Sequence, residues 1–462
     1  MRYISTRGLA PALDFRGATL AGLANDGGLY VPEAWSRGPE GGIAALRPLP
    51  YAEAAARIAA CFVGDSVSAD GLSADFRAAY AGFVDPHIAP LMPLGDGEWL
   101  MELHHGPTLA FKDIALQWLG RLFARFLGQR QLTILGATSG DTGSAAIHAL
   151  AGLPQVTVVM LHPHGRVSEV QRRQMTTVTA PNVHNLALTG DFDDCQRIVK
   201  AVLKNPPSGG ELGAVNSINW ARLLAQVVYY WTACARLGGP AAFSVPTGNF
   251  GDVFAGYVAA SMGAPVARLI VATNGNDILH RALSAGDYSR GAVVPTTSPS
   301  MDIQVSSNFE RLLFDLWGRD ADCTRAEMGD FDAGGRLTLD AATLRQASQH
   351  FASAAVSEAE AAETMRGAWH DHGVLIDPHT AVGLAAARRV GPPGPGVPMV
   401  TLATAHPAKF PEAVRAATGV KPPIPDRLAA MLEGEERMTV LPASEAAVRG
   451  VIAELAGLGR AA

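Results

Sequence analysis

The sequence predicts an α/β protein with two parallel or mostly parallel sheets flanked by helices, together with an N-terminal domain. Three segments support this prediction, because each begins with a short, β-rich apolar run that ends in a turn of small and polar residues. The runs cover 131–136, 241–246 and 398–403, and helical patterns at 144–150 and 253–262 follow the first two turns. Apolar strands that alternate with helices are typical of parallel sheets covered on both faces.

The length of the chain indicates more than one domain, because 462 residues exceed what a single hydrophobic core usually organises. Residues 1–95 are rich in Gly/Pro turns and are predicted to form the N-terminal domain. We expect a large domain made of residues 96–130 and 235–462. A smaller, mobile domain is predicted at residues 131–234.

Composition and charge narrow the class of partner. Hydrophobic residues make up 48% and charged residues 17%, which is typical of a folded globular protein. The net charge of −6 is spread over interspersed residues and forms no basic stripe, so we expect a small-molecule substrate and no nucleic acid or membrane partner. The four cysteines lie far apart, as suits a reducing cytoplasm. A monomer or a homodimer is expected.

Two of the polar turns have the composition of anion-binding loops. The turns ATSGDTG (137–143) and TGNFGD (247–252) each join a strand to a helix and combine glycines with hydroxyl or amide side chains. Small residues let backbone N–H groups approach an anion, and the helix N-terminus adds partial positive charge. Neither turn matches the Walker or the G-x-G-x-x-G nucleotide patterns. The alternative for each turn is an ordinary helix N-cap.

Lys112 lies in HHGPTLAFKDIALQWLGRLF, where the apolar spacing predicts a helix that begins near the lysine. Its neighbours Phe111 and Ile114 are apolar, and partial desolvation lowers a lysine pKa and favours the neutral amine that condenses with an aldehyde. The alternative is a solvated lysine at a helix end. Thr404 follows the third strand, where a neutral hydroxyl could contact a pyridine nitrogen or simply satisfy the backbone. The histidines show no metal-ligand spacing, so no metal is expected.

Taken together, the motifs of this chain resemble the threonine synthase family, and specifically its longer bacterial and fungal form. The resemblance is carried by nine segments in family order: LANDGGLYVPE (23–33), ELHHGPTLAFKD (102–113), ATSGDTGSAA (137–146), NSINWAR (216–222), TGNFGD (247–252), TNGNDIL (273–279), SPSMDIQVSSNFERLL (298–313), IDPHTAVG (376–383) and TAHPAKF (404–410). It implies the fold of the fold-type II pyridoxal-phosphate enzymes, which is similar to the tryptophan synthase β subunit. The cofactor implied is pyridoxal 5'-phosphate.

The resemblance also implies roles for individual residues. Lys112 would form the Schiff base with the cofactor, and Thr404 would contact its pyridine nitrogen. The turn that forms or supports the cofactor phosphate site would comprise Gly248, Asn249, Phe250, Gly251 and Asp252. The loop that grips the substrate carboxylate would comprise Thr138, Ser139, Gly140, Asp141 and Thr142. Candidates for the substrate phosphate are Asn219, Arg222 and Lys409, because a dianionic group needs several cationic or amide donors.

The activity implied is that of a lyase of threonine biosynthesis, which converts O-phospho-L-homoserine and water into L-threonine and phosphate by γ-elimination and β-addition of water. One alternative is a serine/threonine dehydratase or a phospho-amino-acid lyase of the same fold, which would share Lys112 and the glycine-rich turn. The other is a catalytically silent homologue. Retention of Lys112 together with both anion-binding turns argues against a silent homologue, because a binding module needs no Schiff-base lysine.

Overall fold

The structure is a computed structural model that describes residues 1–138, 140–206 and 211–458. The α-helices of the described residues are α1 (Phe15–Ala21), α2 (Gly42–Leu46), α3 (Tyr51–Val63), α4 (Ala69–Tyr80), α5 (Lys112–Leu127), α6 (Asp141–Leu150), α7 (Glu169–Thr176), α8 (Phe192–Lys204), α9 (Trp220–Leu237), α10 (Gly251–Ser261), α11 (Ile278–Ala285), α12 (Phe309–Leu316), α13 (Ala321–Gly334), α14 (Ala341–Ser348), α15 (Glu358–His372), α16 (Pro378–Val390), α17 (Pro411–Thr418), α18 (Asp426–Glu433) and α19 (Glu445–Leu458). None of these helices combines the length and the apolar character needed to cross a membrane.

The β-strands of the same residues are β1 (Tyr3–Ser5), β2 (Tyr30–Pro32), β3 (Leu91–Gly95), β4 (Glu98–Glu102), β5 (Leu132–Ala137), β6 (Val156–Pro163), β7 (Val183–Thr189), β8 (Glu211–Gly213), β9 (Ala241–Pro246), β10 (Val266–Thr273), β11 (Asp287–Ser289), β12 (Arg336–Thr338), β13 (Phe351–Ala355), β14 (Met399–Ala403) and β15 (Thr439–Pro442). Short 3₁₀ turns occur at Gly64–Ser66, Pro299–Met301 and Pro407–Lys409. The three predicted strands correspond to β5, β9 and β14, and the predicted helices correspond to α6 and α10.

The chain folds into two compact units, and their limits differ from the predicted domain boundaries. The first unit comprises residues 1–19, 23–115 and 217–423, and the second comprises the described residues of 20–22, 116–216 and 424–462. The N-terminal residues therefore belong mostly to the first unit. Helix α9 also belongs there, because it packs on α10 and α3.

The first unit is built on a six-stranded sheet in the order β13-β10-β9-β14-β4-β3. All neighbouring pairs are parallel except β3 and β4, which form an antiparallel pair at one edge. The strands β9 and β14 are buried along their whole length, and α16 packs against them. Apolar side chains from both sheet and helices fill the core of this unit, among them Leu100, Ile270, Val382 and Leu384. The mostly parallel sheet predicted from the sequence is confirmed.

The second unit contains a five-stranded, fully parallel sheet in the order β15-β7-β6-β5-β8. Its core includes Leu135, Val159, Leu161 and Leu186 from the strands and residues of α8 and α19. The edge strand β15 comes from the C-terminal part of the chain. Residues 424–458 therefore belong to the second unit, whereas the predicted boundaries assigned them to the larger domain, because β15 pairs with β7 along residues 186–189.

Candidate active site

In the first unit, three neighbouring parallel strands lead to the residues that the sequence singled out. β9 runs into the turn 247–252, β14 runs into Thr404, and β4 runs into the loop that precedes Lys112. These strands lie side by side in the order β9-β14-β4. The carboxyl ends of parallel strands lie along the same edge of a sheet, so the three segments meet at that edge. Ligands of α/β folds bind at the carboxyl ends of the strands.

Lys112 is the first residue of α5 and is held close to Thr404 by backbone contacts. The carbonyl oxygen of Thr404 accepts the N–H of Phe111 at 2.9 Å, and Ala110 pairs with Ala405 in a β-bridge. The amine Nζ of Lys112 is half-buried, lies 4.9 Å from the centre of the Phe111 ring and donates to Oγ of Ser300 at 3.4 Å. Of the apolar flank predicted for this amine, the Phe111 ring therefore lies beside it.

The turn 247–252 is tied down through its carbonyl groups. Oγ of Ser306 donates to the carbonyl of Gly248 at 2.7 Å, and the backbone N–H and side-chain amide of Asn308 donate to the carbonyl of Asn249 at 3.1 and 3.0 Å. Phe250 has a positive φ of 62°, which turns the chain sharply into α10 at Gly251. The first N–H groups of a helix lack partners within it, so the start of α10 offers donors to an anion.

Gly248 cannot carry a side chain in this arrangement. A β-carbon added there would lie 2.6 Å from the carbonyl oxygen of Ser300. Ser300 therefore touches the backbone of the turn 247–252 on one side and the amine of Lys112 on the other. The structure thus brings Lys112, this turn and Thr404 together within one unit.

Asp252, at the end of the turn, is held by two tyrosines of α9. Its oxygen Oδ1 accepts hydrogen bonds from the hydroxyls of Tyr229 and Tyr230, the second at 3.0 Å. Burial raises the pKa of the Asp252 carboxyl to about 6, partly offset by the two tyrosines and by the charge of Lys112. A carboxylate would repel a phosphate. The hydrogen bonds that Asp252 accepts from two tyrosines of α9 are therefore consistent with a supporting role.

Among the candidates for the substrate phosphate, only Arg222 has buried donor atoms that lack a partner within 1–138, 140–206 and 211–458. Its side chain is 3% exposed, and neither Nε nor Nη1 has a hydrogen-bond partner among the described residues. Burial lowers the pKa of this guanidinium to about 10. A buried cation without a partner is costly, and an incoming anion would provide one.

Asn219 and Lys409 are largely engaged elsewhere. Asn219 caps α9 by accepting the N–H of Ala221 at 3.0 Å, and its amide donates to the carbonyl of Thr19 at 2.8 Å. Lys409 is buried and donates to the carbonyl of Thr108 at 2.8 Å, in the loop before Lys112. Both side chains thus hold nearby backbone, and their contact with the substrate phosphate stays a prediction.

The loop 138–142 lies in the second unit, where it starts α6. The hydroxyl oxygen of Thr138 accepts the N–H groups of Gly140 and Gly143 at 2.9 and 3.0 Å. Asp141 is buried, and its Oδ1 accepts the side-chain amide of Gln171 at 3.0 Å. Thr142 is half-buried in the first turn of the helix. Ser139 lies outside the described residues.

Sequence reasoning did not single out Ser300, Ser306 and Asn308. All three lie in the segment 298–313, which has no simple periodicity, and each acts through a contact to a residue far away in the chain. The sequence indicated their importance only in that the segment 298–313 is one of those that resemble the threonine synthase family. No group of three or more side chains that could hold a metal ion occurs within 1–138, 140–206 and 211–458.

Comparison with protein-family models gives three matches along the chain. The model described as "Threonine synthase N terminus" matches residues 2–80, the one described as "Pyridoxal-phosphate dependent enzyme" matches residues 90–331, and the one described as "Threonine synthase, C-terminal" matches residues 380–452.

Individual proteins match over nearly the whole length. The threonine synthase of Pseudomonas aeruginosa is 51% identical and is covered completely, as is this chain. The crystal structure of pyridoxal-phosphate-bound threonine synthase from Brucella melitensis superposes with a TM-score of 0.95 at 46% identity, covering 98% of this chain and 99% of that one. The yeast threonine synthase structure superposes with a TM-score of 0.93 at 37% identity, with 98% of each chain covered.

Proposed function

Because the chain belongs to the threonine synthase family of pyridoxal-phosphate-dependent enzymes, we propose that it converts O-phospho-L-homoserine and water into L-threonine and phosphate. The observation that carries this proposal is the convergence of the Lys112 amine, the turn 247–252 and Thr404 at one edge of the first unit's sheet. A lysine amine beside an anion-binding helix start is what a phosphorylated aldehyde requires.

The residues at this edge fit the cofactor. The N–H groups of Gly248 to Gly251 would hold its phosphate at the start of α10, where the absence of a side chain at Gly248 keeps the backbone accessible. Thr404 would offer its hydroxyl to the ring nitrogen, and Lys112 would bind the aldehyde covalently. When bound, pyridoxal phosphate supplies an electron sink for the negative charge left at a carbon that loses a proton.

Lys112 is proposed as the residue that moves protons. Once the substrate amine has replaced it, its free amine takes the proton from the α-carbon of the substrate. Loss of phosphate from the γ-carbon needs a further proton to leave the β-carbon, for which Lys112 is again the proposed base. A proton is then added to the γ-carbon, which becomes the methyl group of threonine, and the leaving phosphate keeps the electron pair of the broken C–O bond. Water gives its hydroxyl to the β-carbon and its proton to the phosphate, and a proton returned to the α-carbon completes the amino acid.

Arg222 is our main candidate for holding the substrate phosphate, because it alone among the three candidates has buried donors without a partner in the part of the chain that the structure describes. We propose that the start of α6, with Thr138, Gly140, Asp141 and Thr142, binds the substrate carboxylate. The free N–H groups at a helix N-terminus attract an anion. The mobility of the smaller domain stays a prediction, which hydrogen exchange with and without a substrate analogue would test.

Product analysis with O-phospho-L-homoserine is the deciding experiment. The proposal expects equimolar threonine and phosphate. Formation of 2-oxobutyrate without threonine would instead establish a dehydratase or lyase of the same fold. A wild-type protein that stays colourless with pyridoxal phosphate, and resembles Lys112→Ala after borohydride treatment, would indicate a catalytically silent homologue.

The location and the assembly are also proposals. We propose a cytoplasmic location, which the four unpaired cysteines support, since a reducing compartment keeps thiols free. Fractionation of cells would test it. A monomer or a homodimer is proposed for the assembly, and sedimentation of the holoenzyme would distinguish the two.

A further inference from the structure

A line of polar contacts leads from the start of α16 to the amine of Lys112. Oδ1 of Asp377 lies 2.8 Å from Nδ1 of His379, and Nε2 of His379 accepts the backbone N–H of Ser300 at 3.2 Å. Oγ of Ser300 in turn accepts from the amine of Lys112 at 3.4 Å. Asp377 is fully buried and His379 is 3% exposed, so water does not compete for these contacts.

The direction of these hydrogen bonds determines the tautomer of His379. A backbone N–H can only donate, so Nε2 of His379 carries the lone pair and Nδ1 carries the proton. Nδ1–H then donates to Asp377, which is itself held in place by accepting the N–H groups of His379 and Thr380 at the start of α16. The buried carboxylate thus keeps the imidazole as an acceptor toward Ser300.

Ser300 has little freedom to move once these contacts are made. It lies in the 3₁₀ turn Pro299–Met301, and its carbonyl oxygen packs against Gly248. The ring of Phe410 lies 4.9 Å from the ring of His379 and restricts the imidazole. A shift of the Ser300 backbone would therefore displace its hydroxyl relative to Lys112.

We propose that Asp377 and His379 are positioning residues that act through Ser300, and that the Ser300 hydroxyl orients the ε-amine of Lys112 whenever that amine is not joined to the cofactor. This inference rests on the proposed function for the reaction that Lys112 serves. The geometry stands independently of it, because the contacts involve only residues of this chain. Even a small displacement of a reacting group from its productive position can lower the reaction rate by a large factor.

The test compares four variants with the wild type: Ser300→Ala, Ser300→Thr, His379→Phe and His379→Gln. On the holoenzyme, Ser300→Ala and His379→Phe should lower kcat about tenfold or more with KM changed less than about twofold. Ser300→Thr keeps the hydroxyl, and His379→Gln places an acceptor near the position of Nε2. Both conservative variants should recover most of the lost kcat.

A second measurement does not depend on turnover. The full chain is stripped of cofactor and mixed with pyridoxal 5'-phosphate, the covalent product is trapped with borohydride at successive times, and the modified peptide is identified by mass. Capture on Lys112 should slow about tenfold in Ser300→Ala and His379→Phe and remain near the wild-type rate in the two conservative variants. Thermal unfolding establishes that each variant is folded.

The proposal is overturned if Ser300→Ala captures the cofactor and turns over within twofold of the wild type. It is also overturned if His379→Gln is as slow as His379→Phe while both remain folded. Failure of the proposed function would look different. The wild type would then form no threonine, whereas the order of the capture rates among the variants would be retained and would support the positioning role.

Discussion

Replacing Arg222 by methionine should make the protein more stable and less active. Burial lowers the pKa of this guanidinium to about 10, and each tenfold change in an ionisation constant corresponds to about 1.4 kcal/mol. Relative to the ordinary pKa of arginine, which is higher, keeping the charged form buried costs on the order of 3 kcal/mol. Methionine fills a similar volume without a charge, so Arg222→Met should raise the free energy of unfolding by about 1–3 kcal/mol.

The same substitution should weaken binding of the phosphorylated substrate. A dianion that pairs with Arg222 would satisfy its Nε and Nη1 donors, and charge-assisted hydrogen bonds are the strong ones. We expect KM for O-phospho-L-homoserine to rise about tenfold or more. Inorganic phosphate at about 100 times its Kd should stabilise the wild-type holoenzyme by about 2.7 kcal/mol and leave the variant unaffected.

The assay is denaturant unfolding with and without inorganic phosphate. The holoenzyme is used because the bound cofactor fills its own phosphate site, so the added phosphate does not bind there. Arg311→Met is the matched control. Arg311 is equally buried, and burial lowers the pKa of its guanidinium further, to about 9, but this guanidinium donates to the carbonyls of Tyr30 and Ile218 and to the side chain of Asn308. Its loss would leave these acceptors unsatisfied at about 1–3 kcal/mol each. This cost opposes the gain from removing a buried charge, so Arg311→Met should not share the stabilisation expected of Arg222→Met. A less stable Arg222→Met that phosphate still stabilises would refute the reasoning.

Three further outcomes are expected. Lys112→Ala should lower threonine formation about a thousandfold or more, and borohydride should no longer fix the cofactor to the chain, as peptide mass would show. Gly248→Ala brings a methyl to 2.6 Å from a carbonyl oxygen and should weaken cofactor binding about tenfold or more by equilibrium dialysis, whereas Gly275→Ala, with open space around it, should not. Arg172 and Thr176 lower the pKa of Glu436 to about 2. In urea unfolding, Glu436→Gln should therefore lower the free energy of unfolding most at neutral pH, and the difference from the wild type should disappear as pH falls from about 4.5 toward 2. A constant difference across that range would contradict this.

Much of the fold and part of the site could be predicted from local patterns. A strand followed by a glycine-rich turn and a helix is encoded within about 20 residues, which is why β9 and α10 agree with prediction at nearly every residue. The turn 247–252 and Thr404 could be placed together in advance, because strands of one parallel sheet end at the same edge. Lys112 was joined to them only by the family resemblance, because no strand was predicted before it, and the structure supplies β4 there. Their roles toward cofactor and substrate stay predictions until the experiments above are made.

The sequence by itself determined the alternation of strands and helices, the family, and the lysine on which the proposed chemistry depends. Each of these follows from residue types and from patterns between residues that are close together in the chain. Only the tertiary structure decided which polar groups are already engaged. Asn219 pairs with Thr19 and Lys409 with Thr108 across 200 and 301 positions of the chain, whereas two donors of Arg222 have no partner among the residues that the structure covers. It also decided that β15 completes the sheet of the second unit. Hydrogen bonds and strand pairs join residues that are near in space, and no local pattern records which distant groups will meet.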